Sequence, residues 1–184
     1  NLYSDTWVND ITLYCNWVNE EDGVPYTYVE LEDGTIEIRS YTGKRRYITI
    51  PDYIDDKIVS SIGSGAFSNQ TRLRVINLPN QLKTIKDNAF ENCTNLTSIN
   101  IPDTVISIGM MAFQNNFRLY NVNFNSNSKL ESIGSLAFRN CSNLSRFDIP
   151  LNVSNINAMV FFGCTNLKQV NANKNSKDFV SVEG

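Results

Sequence analysis

Histidine is absent from this chain of 184 residues. Its absence excludes a Ser-His-Asp triad, a Cys-His pair, an HExxH zinc site and a histidine general base. The sequence also lacks a run of about 18 apolar residues, which a membrane helix requires. The first residues do not show the basic and then apolar pattern of a signal peptide. We expect a soluble chain without common hydrolytic machinery and, because it does not begin with Met, part of a longer or processed protein.

Charge is also sparse, at 19% of residues with a net charge of -3, whereas 41% of residues are hydrophobic. This composition is typical of one folded domain. Residues 1–60 carry twelve acids and five bases, and residues 61–184 carry seven acids and eleven bases. The bases of the second part are scattered along the sequence and form no stripe, so we expect no nucleic-acid partner.

A repeat of 23 to 25 residues dominates the chain after residue 60. Its marker is a phenylalanine that follows a segment such as Ser-Ile-Gly-Ser-Leu-Ala, and the markers are Phe67, Phe90, Phe113, Phe138 and Phe161. Six residues after each marker begins an LxxIxI pattern, in which alternation indicates a strand with one buried face. A proline often ends this strand, and a second short strand leads to a bend and a helical turn that carries the marker. One coil cannot bury its apolar residues alone, so the period predicts a solenoid of stacked coils.

The string CTNLTSINIPDTVISIGMMAF, residues 93–113, resembles the BspA-like leucine-rich repeat family of bacterial surface proteins. The resemblance covers about residues 47–172. It implies a leucine-rich-repeat solenoid with parallel β strands on the concave face and short strands and helical turns elsewhere. It also implies a secreted or cell-surface location and a role in adhesion.

The two ends of the chain depart from the repeat. Alternation on both sides of Asp33-Gly34 predicts a β-hairpin, and we expect residues 1–46 to form an N-terminal cap on the first coil. The first coil is irregular, with a loop at 52–57. Residues 173–184 are interpreted as the start of an irregular or truncated further coil.

Three cysteines, Cys93, Cys141 and Cys164, share one repeat position, which Gln70 and Asn116 fill in other coils. We expect an interior column of free thiols and, from the spacings, no CxxC metal or redox motif. Other motifs have plain structural interpretations. They are the six N-x-S/T sequences that begin at Asn69, Asn92, Asn95, Asn140, Asn143 and Asn152, the bend 63–65, and the acidic clusters 20–22, 30–33 and 55–56. No catalytic residue, metal site or cofactor is predicted.

A column of polar residues lies between the two inward residues of each LxxIxI strand, where the side chains can form a hydrogen-bonded ladder. Basic and aromatic residues lie nearby at the strand ends. The candidate binding surface comprises Arg74, Asn77, Asn100, Tyr120, Asn123, Arg146, Asp148, Lys168 and Asn171.

These features predict a monomeric, non-enzymatic module that binds a protein or a glycan outside the cell. Two alternatives stay open. One is a structural spacer that displays other domains of a longer chain, and the other is a glycan-acting enzyme that uses carboxylates of the cap.

Overall fold

The computed structural model describes residues 26–176, 178, 179, 182 and 183. Much of the predicted cap, residues 1–25, lies outside the described residues. The strands of the described part are β1 (Tyr26–Glu30), β2 (Ile36–Tyr41), β3 (Tyr47–Thr49), β4 (Tyr53–Ile54), β5 (Lys57–Ile62), β6 (Val75–Asn77), β7 (Thr84–Ile85), β8 (Ser98–Asn100), β9 (Ser107–Ile108), β10 (Asn121–Asn123), β11 (Ser132–Ile133), β12 (Arg146–Ile149), β13 (Asn155–Ile156), β14 (Gln169–Ala172) and β15 (Val182–Glu183).

Each repeat contributes one strand to each of two sheets. The LxxIxI strands β3, β6, β8, β10, β12 and β14 form what we call the front sheet, in which β3–β6, β8–β10 and β12–β14 pair in parallel. The back sheet contains β2, β5, β7, β9, β11 and β13 in parallel succession. Each strand therefore contacts its equivalent in the neighbouring coil, which is the predicted solenoid.

The marker phenylalanines form one stacked column between the two sheets, as predicted. Consecutive ring centroids from Phe67 to Phe138 lie 5.2 to 5.3 Å apart, and Phe161 continues the stack at 6.0 Å. The first four rings are fully buried and Phe161 is half-buried. Offset aromatic pairs at such distances add to the stabilisation that burial provides.

The column begins one coil earlier than the sequence indicates. Tyr41 stacks on Phe67 at 5.3 Å, and its backbone N–H donates to the Ala66 carbonyl at 2.8 Å. Phe67 makes the equivalent bond to Ala89, also at 2.8 Å. The end of β2 therefore takes the place of a repeat marker, and the N-terminal hairpin continues the coil geometry.

The segments around the markers are single hydrogen-bonded turns, and the described residues contain no helix. Each coil with a marker phenylalanine has a left-handed residue two positions before the marker and another two positions after it, with φ between 55° and 78°. A helix requires successive negative φ values, so these positions limit it to one turn. The left-handed residues are Gly65, Asn88, Met111, Leu136 and Met159 before the marker, and Asn69, Asn92, Asn115, Asn140 and Gly163 after it.

Glycines 109 and 134 are required by close approach, and neither has a left-handed φ. A Cβ on Gly134 would lie 2.5 Å from the backbone of Gly109 and Met110 in the preceding coil. The equivalent atom on Gly109 would lie 2.5 Å from the Asp87 nitrogen. At both positions glycine therefore meets a packing requirement of the stacked coils.

The N-terminal hairpin forms at Asp33-Gly34 as predicted. Strands β1 and β2 are antiparallel, Gly34 has a φ of 77°, and the Gly34 N–H donates to the Leu31 carbonyl at 2.9 Å.

The loop expected at 52–57 is instead a second hairpin, in which β4 pairs with β5. Asp55 and Asp56 both have positive φ, which tight two-residue hairpin turns require. After the last coil, β15 pairs with β14 in the antiparallel direction, which departs from the parallel repeat.

Candidate binding surface

The predicted polar column lies on the exposed side of the front sheet. Its members bond in pairs: the Asn77 amide donates to Thr49 at 3.0 Å, Asn123 to Asn100 at 2.7 Å, and Asn171 to Asp148 at 2.7 Å. Among the described residues, no side-chain hydrogen bond links Asn77 to Asn100 or Asn123 to Asp148. The strand pairing is interrupted at the same two places. The expected ladder is therefore three separate pairs, and several amide and hydroxyl groups face solvent.

One end of the front sheet holds a compact charged cluster. The Arg146 guanidinium contacts the Asp148 carboxylate through Nε and Nη2, with every contact at 2.9 Å. The same carboxylate accepts the bond from Asn171. Arg146 is thus neutralised by its neighbour, although the side chains of both residues remain more than half exposed.

The other three predicted residues, Arg74, Tyr120 and Lys168, lie at the beginning of front strands in different coils. The backbone N–H groups of these residues donate to the preceding coil at 2.8, 2.9 and 3.0 Å, respectively. All three are exposed, and Tyr120 retains 56% of its accessible surface. The nine candidate residues therefore divide into six on the front sheet and three on an adjoining row.

This row belongs to a surface that we call the loop edge, which comprises residues 42–46, 69–74, 92–97, 115–120, 140–145 and 163–168. The edge is ordered by an asparagine ladder in which each amide donates to the preceding side-chain oxygen. The distances are 2.9 Å from Asn92 to Asn69, 2.8 Å from Asn115 to Asn92 and 2.8 Å from Asn140 to Asn115. Asparagine tolerates the left-handed conformation at these positions. The ladder supports the structural interpretation of the N-x-S/T sequences that begin at Asn69, Asn92 and Asn140.

The interior of the loop edge contains the predicted column with the three cysteines. Each member donates to the carbonyl of the stacked aromatic residue in the preceding coil, at 2.9 to 3.3 Å. The donors are Gln70, Cys93, Asn116, Cys141 and Cys164. These thiols are free and buried, as expected. Burial raises the pKa of Cys93 to about 12 and that of Cys141 well above its ordinary value. Both thiols are therefore protonated at neutral pH and cannot act as nucleophiles.

The acidic clusters of the described part include three residues with local side-chain partners. Glu30 pairs with Lys57, and the Tyr28 hydroxyl donates to Asp55 in the second hairpin turn at 2.7 Å. Hydrogen bonds from the Thr35 hydroxyl and backbone lower the pKa of Asp33, which is fully exposed. The cluster 20–22 lies outside the described residues. Within the described residues, no group of three or more Cys, Asp or Glu could hold a metal ion.

No helix in the described part is long and apolar enough to cross a membrane.

The geometry of the coils defines a leucine-rich repeat solenoid. Each coil has one short strand on each of two parallel sheets, and a stacked aromatic column lies between the sheets. The family described as the BspA-type leucine-rich repeat region matches residues 60–181 in six copies. The chain belongs to the BspA-type leucine-rich repeat family.

Solved structures of bacterial leucine-rich repeat proteins have the same fold. A leucine-rich repeat protein of T. pallidum is 29% identical with a TM-score of 0.77, and the match covers 80% of this chain and 69% of that chain. A protein from Bacteroides ovatus is 32% identical with a TM-score of 0.68, over 79% of this chain and 39% of that chain. The pneumococcal vaccine antigen PcpA is 24% identical with a TM-score of 0.66, over 85% and 50%, respectively. A search of curated proteins finds no significant match.

Proposed function

We propose that this chain is a non-enzymatic binding module of a secreted or cell-surface bacterial protein and that it binds a protein or a glycan. Membership of the BspA-type family supports an extracellular role, because that family is typical of bacterial surface proteins. The absence of histidine and the burial of the Cys93 and Cys141 thiols favour binding over catalysis.

The exposed polar groups of the front sheet carry the proposal. Asn100 and Asn123 lie on adjacent strands in parallel register, and their mutual bond of 2.7 Å fixes the two side chains. The Asn123 oxygen and the Asn100 amide retain hydrogen-bonding capacity. Groups held in place before binding lose little conformational entropy when a partner arrives. Such a surface suits the backbone of an extended peptide or the hydroxyl groups of a sugar chain.

A binding screen with extracellular-matrix proteins and neutral glycans tests this proposal. The double change Asn100→Ala/Asn123→Ala should weaken capture of the ligand that the screen identifies. The matched control, Asn155→Ala/Asn157→Ala, removes two exposed amides from the back-sheet side and should leave capture unchanged. Binding that survives the front-sheet change would place the site elsewhere. Failure to bind any member of the screen would favour the spacer alternative.

A further inference from the structure

The loop edge carries positive charge in a protein that is acidic overall. Its five repeat loops, 69–74, 92–97, 115–120, 140–145 and 163–168, contain four basic residues and no acidic residue. Residues 42–46 add three consecutive bases. The chain as a whole has a net charge of -3, so the edge is strongly segregated from the remaining charges.

Coil stacking gathers four of these bases at the N-terminal end of the edge. The register of β3 and β6 pairs Tyr47 with Val75, and the Arg74 N–H donates to the Arg46 carbonyl at 2.8 Å. Corresponding backbone positions in paired strands lie about 4.8 Å apart, so Arg46 and Arg74 are adjacent. Lys44 and Arg72 lie two residues before them in the same two coils.

Two of the four bases line a surface cavity. Lys44 and Arg72 border a volume of about 280 Å³, together with Gly43, Asn69, Gln70 and Thr71. The lining combines cationic groups with neutral polar groups and contains no aromatic or aliphatic side chain. A cavity of this composition suits a ligand that carries both anionic groups and hydroxyl groups.

The four cations have no compensating carboxylate in the described part of the chain. Ion pairs there involve Arg39, Lys57, Lys86 and Arg146, whereas Lys44, Arg46, Arg72 and Arg74 form none. All four are exposed. Like charges at neighbouring positions repel one another, and a bound anion relieves that repulsion.

We propose that this cluster of Lys44, Arg46, Arg72 and Arg74 binds an acidic polysaccharide. Sulfate or carboxylate groups contact the cations, and sugar hydroxyls contact Asn69 and Thr71. The planar guanidinium of arginine matches the two oxygens of such groups. The lining residues include no aromatic or aliphatic side chain, which disfavours the alternatives. Single-stranded nucleic acids stack on aromatic side chains, and protein interfaces have an apolar core. The inference rests on the proposed function for its extracellular ligand but uses a surface separate from the front sheet.

The test compares two double variants with the same loss of charge. Lys44→Gln/Arg72→Gln removes two cations from the cluster, and Lys83→Gln/Lys129→Gln removes two exposed lysines elsewhere. The probes are dextran sulfate, hyaluronan, neutral dextran, a thymidine oligonucleotide and poly-L-glutamate, in low and high salt. The first two probes distinguish sulfate from carboxylate recognition.

We expect the parent protein to bind dextran sulfate or hyaluronan in low salt, with weaker binding in high salt. The cluster variant should lose about tenfold in affinity, and the charge-matched control less than about twofold, because only close cations contribute strongly. Arg46→Gln/Arg74→Gln provides a second cluster variant, and melting curves show which variants fold. Equal losses in cluster and control variants, no binding to either acidic polysaccharide, or tighter binding to the oligonucleotide or polyglutamate would each overturn the proposal. Asn100→Ala/Asn123→Ala should leave polysaccharide binding unchanged, so this site and the front-sheet site can fail independently.

Discussion

Lys86 pairs with the buried carboxylate of Glu37 at 2.5 Å across an intervening coil. Glu37 belongs to β2, Lys86 follows β7, and β5 lies between these strands. Gly63 leaves the path open, since a Cβ there would lie 3.1 Å from a Glu37 oxygen. Ser61 donates to the same carboxylate at 3.1 Å, and the Arg39 Nε lies 3.0 Å from its other oxygen. The N-terminal hairpin is therefore attached to the first two coils by charge as well as by strand pairing.

Replacing Lys86 with methionine should destabilise the protein by about 1–3 kcal/mol, because a fully buried carboxylate loses one of its partners. Urea unfolding of Lys86→Met provides the measurement. Lys83→Met is the control, since Lys83 is exposed and forms no ion pair within the described residues. Equal stability of the two variants would show that the pair with Glu37 contributes nothing.

Replacing Phe113 with alanine should lower the free energy of unfolding by about 3–5 kcal/mol, since it removes a buried ring from the middle of the stack. Phe161→Ala should cost less, because Phe161 is half-buried. Chemical denaturation of both variants measures the difference. The importance of the aromatic column would be in doubt if the Phe113 change were the milder of the two.

Replacing Met159 with glycine should stabilise the protein by about 0.5–1 kcal/mol. Met159 has a φ of 59°, where a side chain costs about 1–2 kcal/mol, and its side chain is 59% exposed. The greater freedom of glycine in the unfolded chain offsets part of this gain. Met110→Gly is the control, because Met110 is exposed but has no left-handed φ, and that change should destabilise. Thermal melting of both variants distinguishes relief of backbone strain from a general effect of glycine.

Cys93 and Cys141 should resist alkylation by iodoacetamide in the native protein at about pH 8, because burial keeps both thiols protonated and inaccessible. Peptide mapping by mass spectrometry reads each site, and the same reaction in urea provides the control.

The pKa of Cys93 is higher in the folded protein, at about 12, than its ordinary value of 9.0. Its contribution to stability is therefore complete below pH 9 and is lost as the pH rises towards 12. Rapid native labelling would contradict the buried column.

The features with a repeated chemical signal could be predicted from the sequence. Marker spacing predicted the aromatic column, alternation predicted the front strands, and Asp33-Gly34 predicted the first hairpin. Tyr41 was missed because it follows Ile38 by three residues, whereas Phe67 follows Ile62 by five. The left-handed positions at Met111, Leu136 and Met159 gave no signal, since none of them is glycine or asparagine.

The sequence predicted which polar residues share one face of the front sheet, but it did not predict which of them form hydrogen-bonded pairs. Strand alternation places Asn77 and Asn100 on one face. Whether their side chains form a hydrogen bond depends on how neighbouring coils pack, and the strand pairing is interrupted between them. The bases after residue 60 were interpreted as scattered, and Lys44, which precedes them, was not grouped with Arg72. Stacking of the first coils brings them to one cavity, and this clustering is visible only in three dimensions.

Two sets of hydrogen bonds fix the short loops of the loop edge: the asparagine ladder, and the interior column of donors that contains the three cysteines. The outermost side chains of these loops therefore contribute little to the stacking of the coils. Positions 71, 72 and 74, and their counterparts in later coils, can therefore change without disturbing the aromatic column. In a solenoid of this kind, one set of residues determines the fold and a different set determines which ligand the edge can bind. Exchange of loop residues, one coil at a time, can redraw the charge pattern of the edge while the coils remain the same.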